Sequence, residues 1–138
     1  MKVTDQVFVD TGAWVALALT RDPFHQQAKE SWHRLRSDGV RLATSVPVVM
    51  ETFTFLERNV DRNMALRWKD SLLDLERLRL LECTARDLNL SWRWFERRDL
   101  HKLSAVDATS FVLMAREKIR MAFAFDHHFA SAGYRMVG

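Results

Sequence analysis

The chain has 138 residues, 48% hydrophobic and 28% charged, the size and balance of one soluble domain that buries a core. Its 21 Lys and Arg against 18 Asp and Glu leave a net charge of +3, and its single cysteine excludes an internal disulfide and a thiolate zinc cage. No apolar run reaches membrane-spanning length and Met1 leads directly into a strand pattern without a signal-peptide core, so membrane insertion and secretion are excluded and a cytoplasmic location is expected.

Short apolar strands alternate with amphipathic helices along the chain. Gln6 to Asp10 reads as a strand and Gly12 to Leu19 as a short helix. Asp22-Pro23 reads as the cap and first position of a helix to about Asp38, stopped at Gly39. Arg41 to Thr44 is a second strand. Ser45 with Pro47 opens an apolar helix to about Val60, and Asp61 caps another from about Arg62 to Arg77. Leu78 to Cys83 is a third strand, with Cys83 as a small buried hydrophobe. Thr84 with Asp87 resembles a capping box for a helix to about Arg97, and Ser104 begins one to about Lys118. Met121 to Phe125 and Tyr134 to Val137 complete the strands. The alternation predicts a single α/β domain over residues 1–138, with a central, mainly parallel sheet flanked by helices. Ligands of such sheets gather beyond the carboxyl ends of the strands, where Asp10 and Asp126 fall.

Asp10, Glu51, Asp107 and Asp126 stand in apolar or small-residue surroundings with no basic neighbour. Carboxylates are seldom fully buried unless paired. If they converge, each like-charge pair at about 4 Å costs on the order of 4 kcal/mol at an effective dielectric near 20, and a divalent cation relieves it. Each acid also has a local structural explanation. Asp10 suits a helix cap, Asp126 a turn, and Ser104-Ala-Val-Asp107 a capping box. Glu51 is harder to explain locally, because Val48 and Phe55 flank it on its own helix face and set it in an apolar stripe. One shared site requires fewer coincidences than four separate local roles.

Val-Phe-Val-Asp10-Thr-Gly-Ala-Trp, Glu51 early in an apolar helix, Leu103-Ser-Ala-Val-Asp107-Ala-Thr-Ser and Phe123-Ala-Phe-Asp126-His-His-Phe129 together resemble the PIN domain. More narrowly, they resemble the VapC toxins of bacterial toxin-antitoxin pairs. The likeness covers essentially the whole chain, and its two C-terminal motifs are the most specific part. It implies a metal-dependent endoribonuclease in which Asp10, Glu51, Asp107 and Asp126 bind Mg²⁺ or Mn²⁺ and carry catalysis, with Thr11 and Ser104 supporting the site or the substrate. It also implies products ending in 5'-phosphate and 3'-hydroxyl. Gly12 departs from the pattern, since such proteins more often carry Ser or Asn there.

The chemistry agrees with hard, oxygen-ligated ions, and the absence of an ordered His/Cys ligand set argues against zinc. One ion, or two at about 3.5–4 Å, neutralises charge on the phosphate and acidifies the attacking water, so no protein nucleophile is needed. With those acids set aside, the bases dominate the remaining surface, which suits a polyanion. His127 and His128 are candidates for phosphate contact, against an ordinary surface role. Arg93, Arg97, Arg98 and Lys102 interleave with aromatics and are candidates to grip and stack RNA; the competing reading is a solvated face with Trp92 and Phe95 packed inward. Trp14 is expected in the core. Phe53, Phe55 and Leu56 supply either core or a dimer face. Expected partners are RNA, a cognate antitoxin and a second copy of the chain, with no membrane. The competing functions are a housekeeping RNA-processing nuclease of the same fold and an inert metal- or RNA-binding module. Phosphoryl-transfer domains of the haloacid dehalogenase and receiver types are set aside, because Gly12 and Asp126 stand where they require an acid and a lysine.

Overall fold

A computed structural model describes residues 1–138. Five parallel strands form one sheet in the order β3-β2-β1-β4-β5. They are β1 (Gln6–Val9), β2 (Arg41–Ser45), β3 (Leu78–Leu81), β4 (Met121–Phe123) and β5 (Arg135–Val137). The helices are α1 (Thr11–Ala18), α2 (His25–Ser37), α3 (Val46–Asn59), α4 (Arg62–Leu73), α5 (Ala85–Ser91), α6 (Ala105–Arg116) and α7 (His128–Ser131), with a 3-10 turn at Trp92–Glu96. No helix is long and apolar enough to cross a membrane.

The central strand is apolar without alternation because helices cover both sheet faces: Val7, Phe8 and Val9 are all fully buried. Caps then set the helix starts. Ser45 Oγ accepts the Val48 N–H at 3.2 Å and Asp61 Oδ1 accepts the Met64 N–H at 2.7 Å, satisfying first-turn amides that have no partner within their own helix. α6 is buried on most of its circumference, from Asp107 through Met114, so an amphipathic stripe is not its signature. Phe111 on α6 lies edge-on to Trp94 at 4.9 Å and to Phe129 at 5.0 Å, and Tyr134 donates its hydroxyl proton to the Phe111 carbonyl at 2.9 Å. Phe111→Ala is expected to destabilise the fold by about 3–5 kcal/mol, read from the midpoint of urea unfolding.

Several boundaries differ from expectation for local reasons. Asp22-Pro23 forms a turn: the Asp22 carboxylate accepts the Phe24 N–H at 2.8 Å, and the helix starts only at His25. α4 stops at Leu73 and the chain reverses at Arg77, whose φ is 63°. The helix from Thr84 breaks after Ser91, where the Ser91 hydroxyl donates to the Leu88 carbonyl and the next turn tightens to 3-10. α7, which follows Asp126, was expected to be only a turn. Cys83 is half-buried, not enclosed. Trp14 is a core residue, its indole N–H donating to Thr44 Oγ1 at 3.2 Å between Trp32 and Trp68. Leu56 is fully buried, whereas Phe55 is exposed beside Val46 and Met50.

Candidate active site

The winding of the sheet reverses between β1 and β4, and at such a switch point the carboxyl ends of two neighbouring strands frame a crevice. Asp10 follows β1 directly, its N–H donating to the Phe123 carbonyl of β4 at 3.0 Å. It occupies the capping position of α1, but its side chain makes no cap bond and remains directed to other use. Asp126 lies just beyond β4. There Oδ1 accepts the His128 N–H at 2.9 Å, so the expected turn role is real and occupies one direction of the carboxylate.

Asp107 enters from the first turn of α6. Ser104 Oγ accepts the Asp107 N–H at 2.9 Å, but the reciprocal bond of a capping box does not form. Thr84 and Asp87 make both bonds of their box, and Asp87 also pairs with Arg116. Two similar four-residue motifs therefore differ in what they leave free: Asp87 is used locally, and the carboxylate of Asp107 is not. Glu51, on α3, is half-buried and lines a groove with Pro47, Thr54, Arg58 and Val106, so it sits at the margin of the apolar stripe.

Electrostatics tie these groups together. Burial pushes Asp10 up to about 7, with the charges of Glu51 and Asp126 adding to the rise and the Thr11 and Gly12 amides offsetting part of it. Asp107 is pushed up to about 8, first by burial and then by Asp10, Asp126 and Glu51. Asp126 goes the other way: burial raises it, but the His128 backbone N–H and the nearby imidazole outweigh that and hold it below the usual Asp value.

Three buried side-chain atoms lack a hydrogen-bond partner: Asp10 Oδ1, Thr11 Oγ1 and His128 Nδ1. All belong to this cluster or adjoin it. Orphaned atoms concentrated among carboxylates, with only histidines approaching Asp107 and Asp126 as ion-pair partners, form a donor set that could hold a cation. Asp107, Asp126 and His128 each offer a donor atom, all within 4.8 Å of one another. His128 is buried, whereas His127 is largely exposed with Nδ1 4.0 Å from Asp126. Of the two candidate histidines, the structure brings His128 into the acid cluster.

Two of the candidate RNA contacts lie in a separate groove. Arg93 and Arg97 line a groove of roughly 820 Å³ with Arg86, Arg116 and Trp94, and this groove includes none of the four acids. Arg97 is already paired with Asp99 and sits over the Trp94 ring at 5.6 Å. Arg98 and Lys102 are exposed. The inward aromatic of this segment is Trp94, while Trp92 and Phe95 are exposed, unlike the packing that the competing solvated-face reading assigned them.

Comparison with known proteins agrees with this architecture. The family model of the PIN domain matches residues 7–133. The chain is 36% identical over 129 residues to the 23S rRNA-specific endonuclease VapC20 of Mycobacterium tuberculosis, spanning 93% of this chain and 95% of that protein. The crystal structure of VapC20, described as a sarcin-ricin loop cleaving toxin, aligns with a TM-score of 0.82 at 35% identity over 93% of this chain and 95% of that one. VapBC2 from Rickettsia felis, bound to a DNA fragment from its promoter, shares the fold with a TM-score of 0.71 at 12% identity, covering 95% and 96% of the two chains. The chain belongs to the PIN-domain family of nucleases.

Proposed function

We propose that this protein is a divalent-ion-dependent endoribonuclease acting in the cytoplasm as the toxin of a toxin-antitoxin pair, with 23S ribosomal RNA as its substrate. The observation that carries the chemistry is the convergence of Asp10, Asp107 and Asp126 at the switch point of the sheet, with Asp10 Oδ1, Thr11 Oγ1 and His128 Nδ1 buried there without a partner. The substrate class rests on the likeness to VapC20 over nearly the full length of both chains.

Asp10, Asp107 and Asp126 would hold Mg²⁺ or Mn²⁺, and Glu51, on the open side, would orient the attacking water. A bound ion would supply neutralisation of charge on the phosphate and acidification of that water. Ser104 fixes the first turn of α6 and thereby the direction of Asp107. Thr11 Oγ1, buried without a partner beside Asp10, would be available to hydrogen-bond a group held there. A direct test is incubation of purified ribosomes or transcribed 23S rRNA with the protein and either ion, followed by mapping of ends. Cleavage leaving 5'-phosphate and 3'-hydroxyl termini is expected. Ion uptake without cleavage of any RNA favours the inert binding module instead.

Arg93, Arg98 and Lys102 guide the RNA backbone, since Arg97 is already engaged by Asp99. Arg93→Gln and Arg98→Gln are each expected to weaken RNA binding and to reduce the slope of log K against log salt by about 0.7. Arg97→Gln should change that slope less. Fluorescence anisotropy across a salt series makes the comparison.

The inhibitory partner is an antitoxin that lays an apolar helix in the groove formed by Trp14, Leu17, Trp32, Trp68 and Leu72 and reaches the acids with an Arg or Lys. A second copy of the chain packs on the exposed Val46, Met50 and Phe55 of α3. Sedimentation of wild type and Met50→Glu tests this: a dimer for the first and a monomer for the second.

A further inference from the structure

We propose that His128 is a direct nitrogen ligand of the ion, through Nδ1, and that this site therefore prefers Mn²⁺ to Mg²⁺. The inference rests on the divalent-ion reading of the carboxylates and adds a ligand to it. His128 has only 6% of its surface exposed, and Nε2 lies 2.7 Å from the His101 carbonyl oxygen. A carbonyl only accepts, so the ring proton sits on Nε2. With a proton fixed on Nε2, it is Nδ1 that presents a lone pair among the carboxylates once an ion displaces any proton held there.

Nδ1 stands 2.9 Å from Asp126 Oδ1 and 3.9 Å from Asp107 Oδ2. Although the shorter distance lies within hydrogen-bonding range, Nδ1 has no hydrogen-bond partner, because the carboxylate is off the direction an N–H there would take. Nδ1 and the two carboxylates converge closely enough for one cation to sit among them and displace the proton that burial holds on Asp107. Ligands about 2.1 Å from an octahedral ion are roughly 3.0 Å apart when adjacent and 4.2 Å apart when opposite. The 2.9 Å separation from Asp126 is close to that of adjacent ligands, and the 3.9 Å separation from Asp107 is within a few tenths of an ångström of that of opposite ones. The Nε2 bond to a backbone carbonyl is also the outer contact that fixes ring orientation in metal-ligating histidines. His127 has neither the burial nor this anchor.

An imidazole nitrogen favours first-row transition ions over Mg²⁺, which takes oxygen ligands almost exclusively. Loss of an outer contact alone costs about 10–100-fold in affinity, so loss of the ligand should cost at least that for Mn²⁺ and less for Mg²⁺.

The test is pulsed electron paramagnetic resonance of the full-length wild-type protein loaded with Mn²⁺, prepared with ¹⁴N-histidine and again with ¹⁵N-histidine. A nitrogen hyperfine coupling that changes with the label is expected, retained in His127→Gln and lost in His128→Gln. Titration calorimetry should show at least a tenfold loss of Mn²⁺ affinity in His128→Gln and a narrower Mn²⁺ over Mg²⁺ preference. Bound Mn²⁺ without histidine-derived nitrogen coupling in the wild type overturns the inference and leaves the carboxylate site standing. No Mn²⁺ uptake by the wild type overturns both. The wild-type spectra decide the question even if His128→Gln fails to fold.

Discussion

Asp107→Asn is expected to lower the rate of RNA cleavage about a thousandfold, equivalent to roughly 4 kcal/mol of transition-state stabilisation, while the metal-free protein melts no lower than wild type. The two effects have one cause. The Asp107 carboxylate is buried, and its pKa is pushed up first by that burial and then by Asp10 and Asp126, so its charge is unfavourable until an ion arrives. Asn keeps the shape and an acceptor oxygen but removes the charge. The backbone N–H that Ser104 accepts is unaffected, so α6 should start where it does now. A large fall in metal-free stability together with lost cleavage would show that Asp107 has a structural role.

The second large effect is a linkage between pH, ion and stability. Asp10 is raised to about 7 and Asp107 to about 8, both above an unfolded Asp near 3.9. Each therefore holds its proton more tightly in the folded state. Their contribution to stability is complete below about pH 4 and is lost as pH rises through 7 and 8. Asp126, held below the ordinary value, contributes oppositely, and its share is lost only in more acidic solution. In EDTA the protein should thus lose stability from about pH 4 to about pH 8 and level off above that. Ion binding displaces the protons on Asp10 and Asp107, so the gain from Mg²⁺ or Mn²⁺ should grow over the same range. At about one hundred times its dissociation constant the ion adds roughly 2.7 kcal/mol, which for a domain of this size raises the melting temperature by about 10 °C. Melting curves with and without EDTA at several pH values measure this directly. Superimposable curves would show that the carboxylates share no ion.

Much of the fold was legible because its signals are local. The unbroken apolar β1, the Ser45 and Asp61 caps and the strand-helix alternation each dictate their own segment. Boundaries failed where a side chain competed with the backbone, as at Asp22 and Ser91. For the site, acids in apolar surroundings mark candidates, but their use depends on geometry that no local pattern contains. Ser104-Ala-Val-Asp107 and Thr84-Ala-Arg-Asp87 read alike, and only the position of Arg116 and the missing reciprocal bond separate them. The sequence marks His127 and His128 alike, and what separates them, burial and the bond of His128 Nε2 to the His101 carbonyl, comes from residues far apart in the chain. Trp94 replaced Trp92 and Phe95 as the inward residue because the 3-10 turn shifts the faces of that segment.

The measurement that bears most directly on the central claim is cleavage of 23S rRNA by the purified chain under three conditions, Mn²⁺, Mg²⁺ and EDTA, with Asp10→Asn run in parallel. Discrete cleavage with either ion, none in EDTA, recovery when ion is restored, and loss in Asp10→Asn are expected. Cleavage that persists in EDTA, or that Asp10→Asn retains in full, would contradict an ion-dependent site built on these carboxylates.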